Sequence, residues 1–403
     1  MSSSPPGTHA EEDIQPADEV EIDHGYDTED SGFEQDSVLT QSVRSSIYQY
    51  KFENGRTYHS YKEGQYFMPN DSAEHERLEL QHRAMSLAAG GQLFYAPVRD
   101  LHHVLDLGTG IGTWAVEVAD AYPEAVVIGV DLSPIQPSLA PPNAKWEIDD
   151  VEDDWTWPAD HFDLIYSQFM LSGSIADFPK YFRQAFRHCR PGGYFELRDL
   201  ATYLRSDHVP IREDSAVNEW CRLMRQGITG MGRRLDLDFE QLGDLMREAG
   251  FVEVVVRPFK IPIGRWPSDP KLKEAGLFQL YAMLEGVEAL TLAIFTRCLG
   301  WEPERVHVFL ADVRKEFKAT KRYTYWPCAV IYGRKPVSAS MDWVQMAADW
   351  FWNIVVHDTA CIWAIPDRKI VRTGELSTNL GEFKTGILGL GQSQHDSAHL
   401  KRA

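Results

Sequence analysis

VLDLGTGIGTWAVEVAD, residues Val104–Asp120, decides the fold. An apolar run (Val104, Leu105, Leu107) carries Asp106 and ends in a glycine turn; Trp114, Ala115, Val118 and Ala119 then recur at helical spacing. Strand, tight turn and helix in that order open a nucleotide-binding α/β sheet. Gly108, Gly110 and Gly112 fall as G-x-G-x-G, not the G-x-G-x-x-G of dinucleotide sites. Their backbone can turn sharply and admit a ligand closely. A second acid, Asp131, ends the next apolar run, VVIGVD, where ribose hydroxyls need an acceptor.

Working outward, apolar runs alternate with helical patterns. Strands are expected at His102–Asp106, Val126–Asp131, Lys145–Ile148, Phe162–Gln168 and Tyr194–Leu197, with Arg190–Gly193 as a turn. Helices are expected at Gly112–Tyr122 and Ala176–Cys189, while the proline-rich SPIQPSLAPPN leaves the intervening helix short or missing. This alternation implies a parallel sheet with right-handed crossovers. After Leu200 the pattern predicts helices at Glu213–Thr229 and Asp238–Ala249 and a strand at Val252–Val256. One long or two shorter helices follow over 271–296, then a helix at Glu302–Lys318 and a last strand at Thr324–Tyr332. The late helices, about 258–322, form a cap over the carboxyl edge of the sheet.

Composition narrows the function. The 403 residues are 43% hydrophobic and carry a formal net charge of −20. Such a surface repels nucleic acid and anionic membranes, so neither is an expected partner. No run of 18 apolar residues predicts a membrane span. The start, MSSSPPGTHAEED, lacks a basic and apolar leader, so the expected location is cytoplasmic or nuclear and not secreted. Five dispersed cysteines read as reduced thiols, with no metal-ligand cluster. Residues 1–45 read as a disordered acidic arm. Residues 46–100 hold a tyrosine-rich segment and a helix from about Ala73 to Ala89, capped by Asp71 or Ser72; segment and helix are expected to cover the ligand pocket at the glycine turn. Residues 337–403 leave the pattern and form an extension of unassigned role.

DLGTGIG at Asp106–Gly112, GVDLSPIQP at Gly129–Pro137 and RPGGYFEL at Arg190–Leu197 resemble class I S-adenosylmethionine-dependent methyltransferases. ENGRTYHSYKEGQYFMPND at Glu53–Asp71 narrows the resemblance to the fungal LaeA-like methyltransferases, over about residues 50–336. It implies a mostly parallel Rossmann-like sheet with an antiparallel last strand and S-adenosyl-L-methionine as cofactor. By this resemblance Gly108, Thr109, Gly110 and Gly112 would lie under the methionine and ribose, and Asp106 would hold the ammonium. Asp131, with Leu132 beside it, would take the ribose hydroxyls, and Asp149 or Asp150 the adenine amine. Ser167 and Gln168 would face the sulfonium and the acceptor; Tyr58, Tyr61 and Tyr66 would close over the cofactor. The residue chemistry agrees: the ligand is cationic and carries no phosphate, and the site collects acids where a phosphate site would want cations or free helix amides.

Methyl transfer from a sulfonium is an in-line displacement in which alignment matters most. A base helps only where the acceptor carries a proton. His208, His188, Tyr203, Glu196 and Asp199 are available; none is decisive, and His208 and Tyr203 stand as the candidates. Tyr166-Ser167-Gln168-Phe169 replaces the Asn-Pro-Pro-Tyr of enzymes that methylate base or glutamine amines. Two functions follow: an enzyme methylating a small molecule of fungal secondary metabolism, or a nuclear regulator of secondary-metabolite gene clusters working through protein partners. In the second, the methyl acceptor could be protein. Leu277, Phe278, Leu280, Tyr281, Met283 and Leu284 lining a cavity would favour the first; packed shut, the second.

Overall fold

The computed structural model describes residues 50–62, 67–170, 173–233 and 238–337. The expected arm over 1–45, the extension beyond Val337 and Tyr66 lie outside the described residues. The described chain opens with a hairpin, β1 (Lys51–Glu53) and β2 (Arg56–Tyr58). Asn54 and Gly55, with φ of 49° and 80°, make its two-residue turn. Arg56 Nη2 then donates to Asp71 Oδ1 at 2.6 Å. Asp71 is also the N-cap of helix α1 (Ser72–Ala88), accepting from the Glu74 amide at 3.1 Å. The hairpin thereby fixes where α1 begins.

The sheet strands are β3 (His103–Leu107), β4 (Val126–Asp131), β5 (Ala144–Ile148), β6 (Phe162–Gln168), β7 (Cys189–Leu200), β8 (Val252–Pro262) and β9 (Tyr325–Arg334). They run in the order β5-β4-β3-β6-β7-β9-β8. Strands β5 through β7 are parallel, and β9 lies antiparallel between β7 and β8. The expected mostly parallel sheet with an antiparallel last strand is borne out. Helices α2 (Thr113–Ala121), α3 (Phe178–His188) and α5 (Phe239–Glu248) accompany it. Leu105, Leu107, Ile165 and Phe195 are fully buried, each stabilising the fold by about 1.5–3 kcal/mol.

Two boundaries differ from the sequence reading. Arg190–Gly193 is a bulge inside β7, not a separate turn: Phe162 pairs with Cys189 and Leu164 with Tyr194. Lys335 closes the excursion, accepting from the Gly192 amide at 2.8 Å and donating to Gly193 O at 2.9 Å. Strand β8 continues past Val256 to Pro262. Pro258 reads as a breaker, but β8 is an edge strand, where proline is tolerated.

The cap has its own core. Helices α6 (Pro270–Leu299) and α7 (Pro303–Phe317) fall between β8 and β9 in the chain. They share a hydrophobic cluster with α1 and with α4 (Ala216–Gly230). The 271–296 segment is thus one helix, and by length and composition α6 could cross a membrane. It is instead the central helix of this cluster, with Val287, Leu292, Ile294 and Phe295 buried. Trp220 Nε1 donates to Thr291 Oγ1 at 2.7 Å across the α4–α6 contact.

Candidate active site

The carboxyl ends of β3, β4, β5 and β6 converge on one cleft, the place where parallel α/β sheets bind ligands. It encloses about 1210 Å³ including its open mouth. Asp106, Gly108, Thr109, Gly110, Asp131, Leu132, Asp149, Asp150 and Gln168 all line it. The turn after β3 is fixed by the Gly108 and Thr109 amides, which both donate to Val130 O at 2.9 Å. Gly108 has φ +72°, and a Cβ there would strike Met170 Sδ.

Acidity dominates the cleft. Asp106 is 3% exposed, and Thr109 Oγ1 donates to its Oδ2 at 2.6 Å. Burial pushes its carboxyl up to about 7, opposed by the Thr109 hydrogen bond and aided by the charge of Asp131. Asp131 Oδ2 accepts from the Gly110 amide at 2.8 Å and Oδ1 from the Ser133 amide at 3.0 Å. Burial raises its pKa as well. Among the described residues neither carboxylate has a Lys or Arg partner. Asn70, 4% exposed, also lines the cleft, and among the described residues neither amide atom of its side chain is partnered. A ligand bearing positive charge and hydrogen-bonding groups would complete all three. Arg233 lines the cleft too, but its Nη1 donates to Glu152 Oε2 at 3.0 Å and to Ser174 O at 2.5 Å.

Asp149 and Asp150 separate in role. Asp150 is tied up: Oδ1 accepts from the Glu152 amide at 2.9 Å and Oδ2 from Lys62 Nζ at 2.8 Å. Among the described residues Asp149 Oδ1 accepts only the neighbouring Asp150 amide, at 2.8 Å. Gln168 is held by a relay that sequence reading missed. Tyr166 Oη donates to Gln168 Oε1 at 2.8 Å. Gln168 Nε2 faces His82 Nδ1 at 3.4 Å, and His82 Nε2 faces Glu117 Oε2 at 3.1 Å. The contact with His82 lowers the Glu117 pKa, and Trp114 stacks on Tyr166 with centroids 3.7 Å apart. The signal lay in α1: Glu74, Leu78 and His82, four residues apart, line the cleft from one helix face.

The structure places other candidates elsewhere. Gly112 starts α2 under the Trp146 indole, where a Cβ would lie 2.7 Å from Cη2. Ser167 alternates to the opposite sheet face from Tyr166 and Gln168, toward Tyr181. Tyr58 is 2% exposed in the cap core, with the Arg297 guanidinium 4.8 Å from its ring centroid. Tyr203 and His208 are corrected as acceptor-side candidates. The loop after β7 turns back to bridge Arg205 to Tyr325 and carries both outward. His208 is exposed against Trp266 and Tyr323, and Tyr203 packs on Arg205. Glu196 pairs with Arg198 and accepts the Tyr95 and Ala96 amides, a buried structural tie.

Beside the cleft lies a second cavity, about 750 Å³ including its mouth. Met68 and Phe169 line both. Trp220, Cys221, Met224 and Ile228 of α4, Gln279, Met283 and Leu290 of α6, and Trp326 of β9 form its walls. Of the apolar cap residues singled out in the sequence, Met283 reaches it. Phe169, immediately after β6, has φ +59°, a conformation rare outside glycine and concentrated at functional sites.

Fold and cleft together define a class I S-adenosylmethionine-dependent methyltransferase. Residues 76–255 match the model of the methyltransferase domain family. Methyltransferase pytC of Aspergillus terreus is 37% identical over 324 residues, spanning 80% of this chain and 98% of that one. The secondary metabolism regulator laeA of Aspergillus fumigatus is 35% identical over 301 residues, 74% of this chain and 80% of that one. Protein-methionine methyltransferase laeA of Emericella nidulans is 34% identical over 298 residues, 73% and 79% of the two chains. The chain belongs to the fungal LaeA-like methyltransferases.

Proposed function

We propose that this enzyme methylates a small molecule of secondary metabolism, held in the cavity beneath the cap. The observation that carries this reading is the wall shared by the two cavities, Met68 and Phe169. A donor in the cleft and an acceptor in the cavity meet across it. When bound, S-adenosylmethionine supplies an electrophilic methyl on a sulfonium. The protein's part is alignment. Asp106 and Asn70 hold the polar end of the donor, Asp131 its ribose and Asp149 its adenine. Gln168, fixed by Tyr166 and His82, borders the point of transfer.

The test is labelling. The full chain is incubated with methyl-¹³C S-adenosylmethionine and an organic extract of a fungal culture. Label in extracted small molecules, lost in an Asp131→Ala variant that no longer binds S-adenosylhomocysteine by calorimetry, is expected. Label confined to the protein fraction would refute the small-molecule acceptor.

A further inference from the structure

The cap cavity is apolar but not featureless. Three polar side-chain atoms on its lining are buried without a partner among the described residues: Gln279 Oε1, Trp326 Nε1 and Thr202 Oγ1. Gln279 is 1% exposed and Trp326 4%. They come from three separate elements: α6, β9 and the residues after β7. Proteins rarely leave such groups unpaired, because each loses its water without replacement. One orphan is an accident of packing; an acceptor, a donor and a hydroxyl on one cavity are a recognition pattern.

Charge on the same lining is cancelled. Arg77 reaches the cavity, but its Nε and Nη2 donate to Glu74 Oε2 and Oε1 at 2.9 and 2.8 Å, and Nη1 is taken by Gln81. The stem of Arg77 is pinned where α1 crosses α6 at Gly286. Burial pushes the Cys221 thiol up to about 12, so it stays neutral. Among the described residues the lining includes no carboxylate and no histidine. A charged acceptor would find no counter-ion there and would lose its hydration.

We propose that the cavity takes a neutral, mostly apolar carbonyl compound bearing an N–H or O–H. Its carbonyl oxygen accepts from Trp326 Nε1 and its N–H or O–H donates to Gln279 Oε1. Gln279 is then a specificity-determining residue. This rests on the methyltransferase reading above, since the cavity matters as the acceptor's place beside the donor.

The test uses full-length protein saturated with S-adenosylhomocysteine, the saturation checked by calorimetry in each sample. The probes are 2-quinolone and 4-quinolone, which set the carbonyl beside or across the ring from the N–H, and their N-methyl derivatives. Dissociation constants come from saturation-transfer NMR titration. At least one quinolone is expected to bind tenfold or more tighter than its N-methyl form, the loss expected when a buried acceptor goes unmet. In Gln279→Leu that gap collapses while the melting temperature rises, because an unpaired buried amide has been removed. Trp326→Phe weakens both forms alike. No gap in the wild type, a gap that survives Gln279→Leu, or a fall in melting temperature for Gln279→Leu would each overturn the assignment. Failure of S-adenosylhomocysteine to bind would overturn the methyltransferase reading, and this inference with it.

Discussion

Asp106→Asn should stabilise the protein at alkaline pH while destroying cofactor binding. The carboxyl is 3% exposed, and burial holds it at about 7 against an ordinary 3.8. A carboxyl raised in the native state is protonated there over a range where the unfolded chain has already released its proton. The unfolded state therefore binds fewer protons, and stability falls as pH rises from about 4 to about 7, then levels. Each pH unit between the two values is worth about 1.4 kcal/mol. The cost of this one group grows to about 4 kcal/mol above pH 7. Asparagine is nearly isosteric, can still accept from Thr109 Oγ1 and carries no charge. Urea unfolding of both proteins at pH 4, 6 and 8 should show near-equal stability at pH 4 and a variant more stable by about 2–4 kcal/mol at pH 8. Calorimetry supplies the second arm. A ligand ammonium beside Asp106 favours its charged form, so S-adenosylhomocysteine binding should release a proton at pH 6 and weaken toward acid pH. A wild type and variant whose stability difference is flat across pH would refute the reasoning about Asp106.

Other perturbations follow from named contacts. Glu196→Gln removes the charge facing Arg198, itself 1% exposed, and should cost about 3–5 kcal/mol in urea unfolding; an unchanged midpoint would show that the pair contributes nothing. Gly286→Ala would drive a Cβ into Arg77 Cδ where α1 crosses α6. A loss of about 1–3 kcal/mol is expected in thermal melts, and none at all would mean the helices separate freely. Asp149→Ala should weaken S-adenosylhomocysteine about tenfold or more by calorimetry. Asp150→Ala should act less, since Glu152 and Lys62 already occupy its oxygens; the reverse ranking would reassign the adenine contact.

Strands β3, β4 and β6 were legible because they lie inside the parallel sheet and read as apolar runs, whereas β5, at the edge, exposes Lys145 and Glu147. Asp106 and Asp131 were legible for the opposite reason: an acid closing an apolar run is conspicuous. What stayed hidden depends on contacts distant in the chain. Asn54-Gly55 is a hairpin signal in plain view, but the aromatic residues around it draw attention to packing. His82 gains meaning only when Glu117 and Gln168 arrive from other elements. Ser167 fails by parity, since a strand shows alternate residues to a face and Tyr166 and Gln168 hold the cleft side. His208 fails because a loop's exit path from the sheet is set by its partner, here Tyr325, not by its own residues.

The two cavities share a physical peculiarity as well as a wall. In the cleft, Asp106 is buried and Asp131 partly buried, and among the described residues neither has a Lys or Arg partner and the Asn70 amide is unpartnered. In the cavity, Gln279, Trp326 and Thr202 hold unpaired polar atoms. Between them Phe169 sits in a left-handed backbone conformation, which costs a non-glycine residue about 1–3 kcal/mol. Each feature opposes folding, and each lies on the lining of the cleft or of the cavity beside it. Other buried charges are paired closely, as Glu196 with Arg198 and, on the linings themselves, Glu74 with Arg77. Stability is held by the sheet core and by the cap's own cluster around α6. That division lets the linings of cleft and cavity carry backbone strain and polar groups unmet among the described residues.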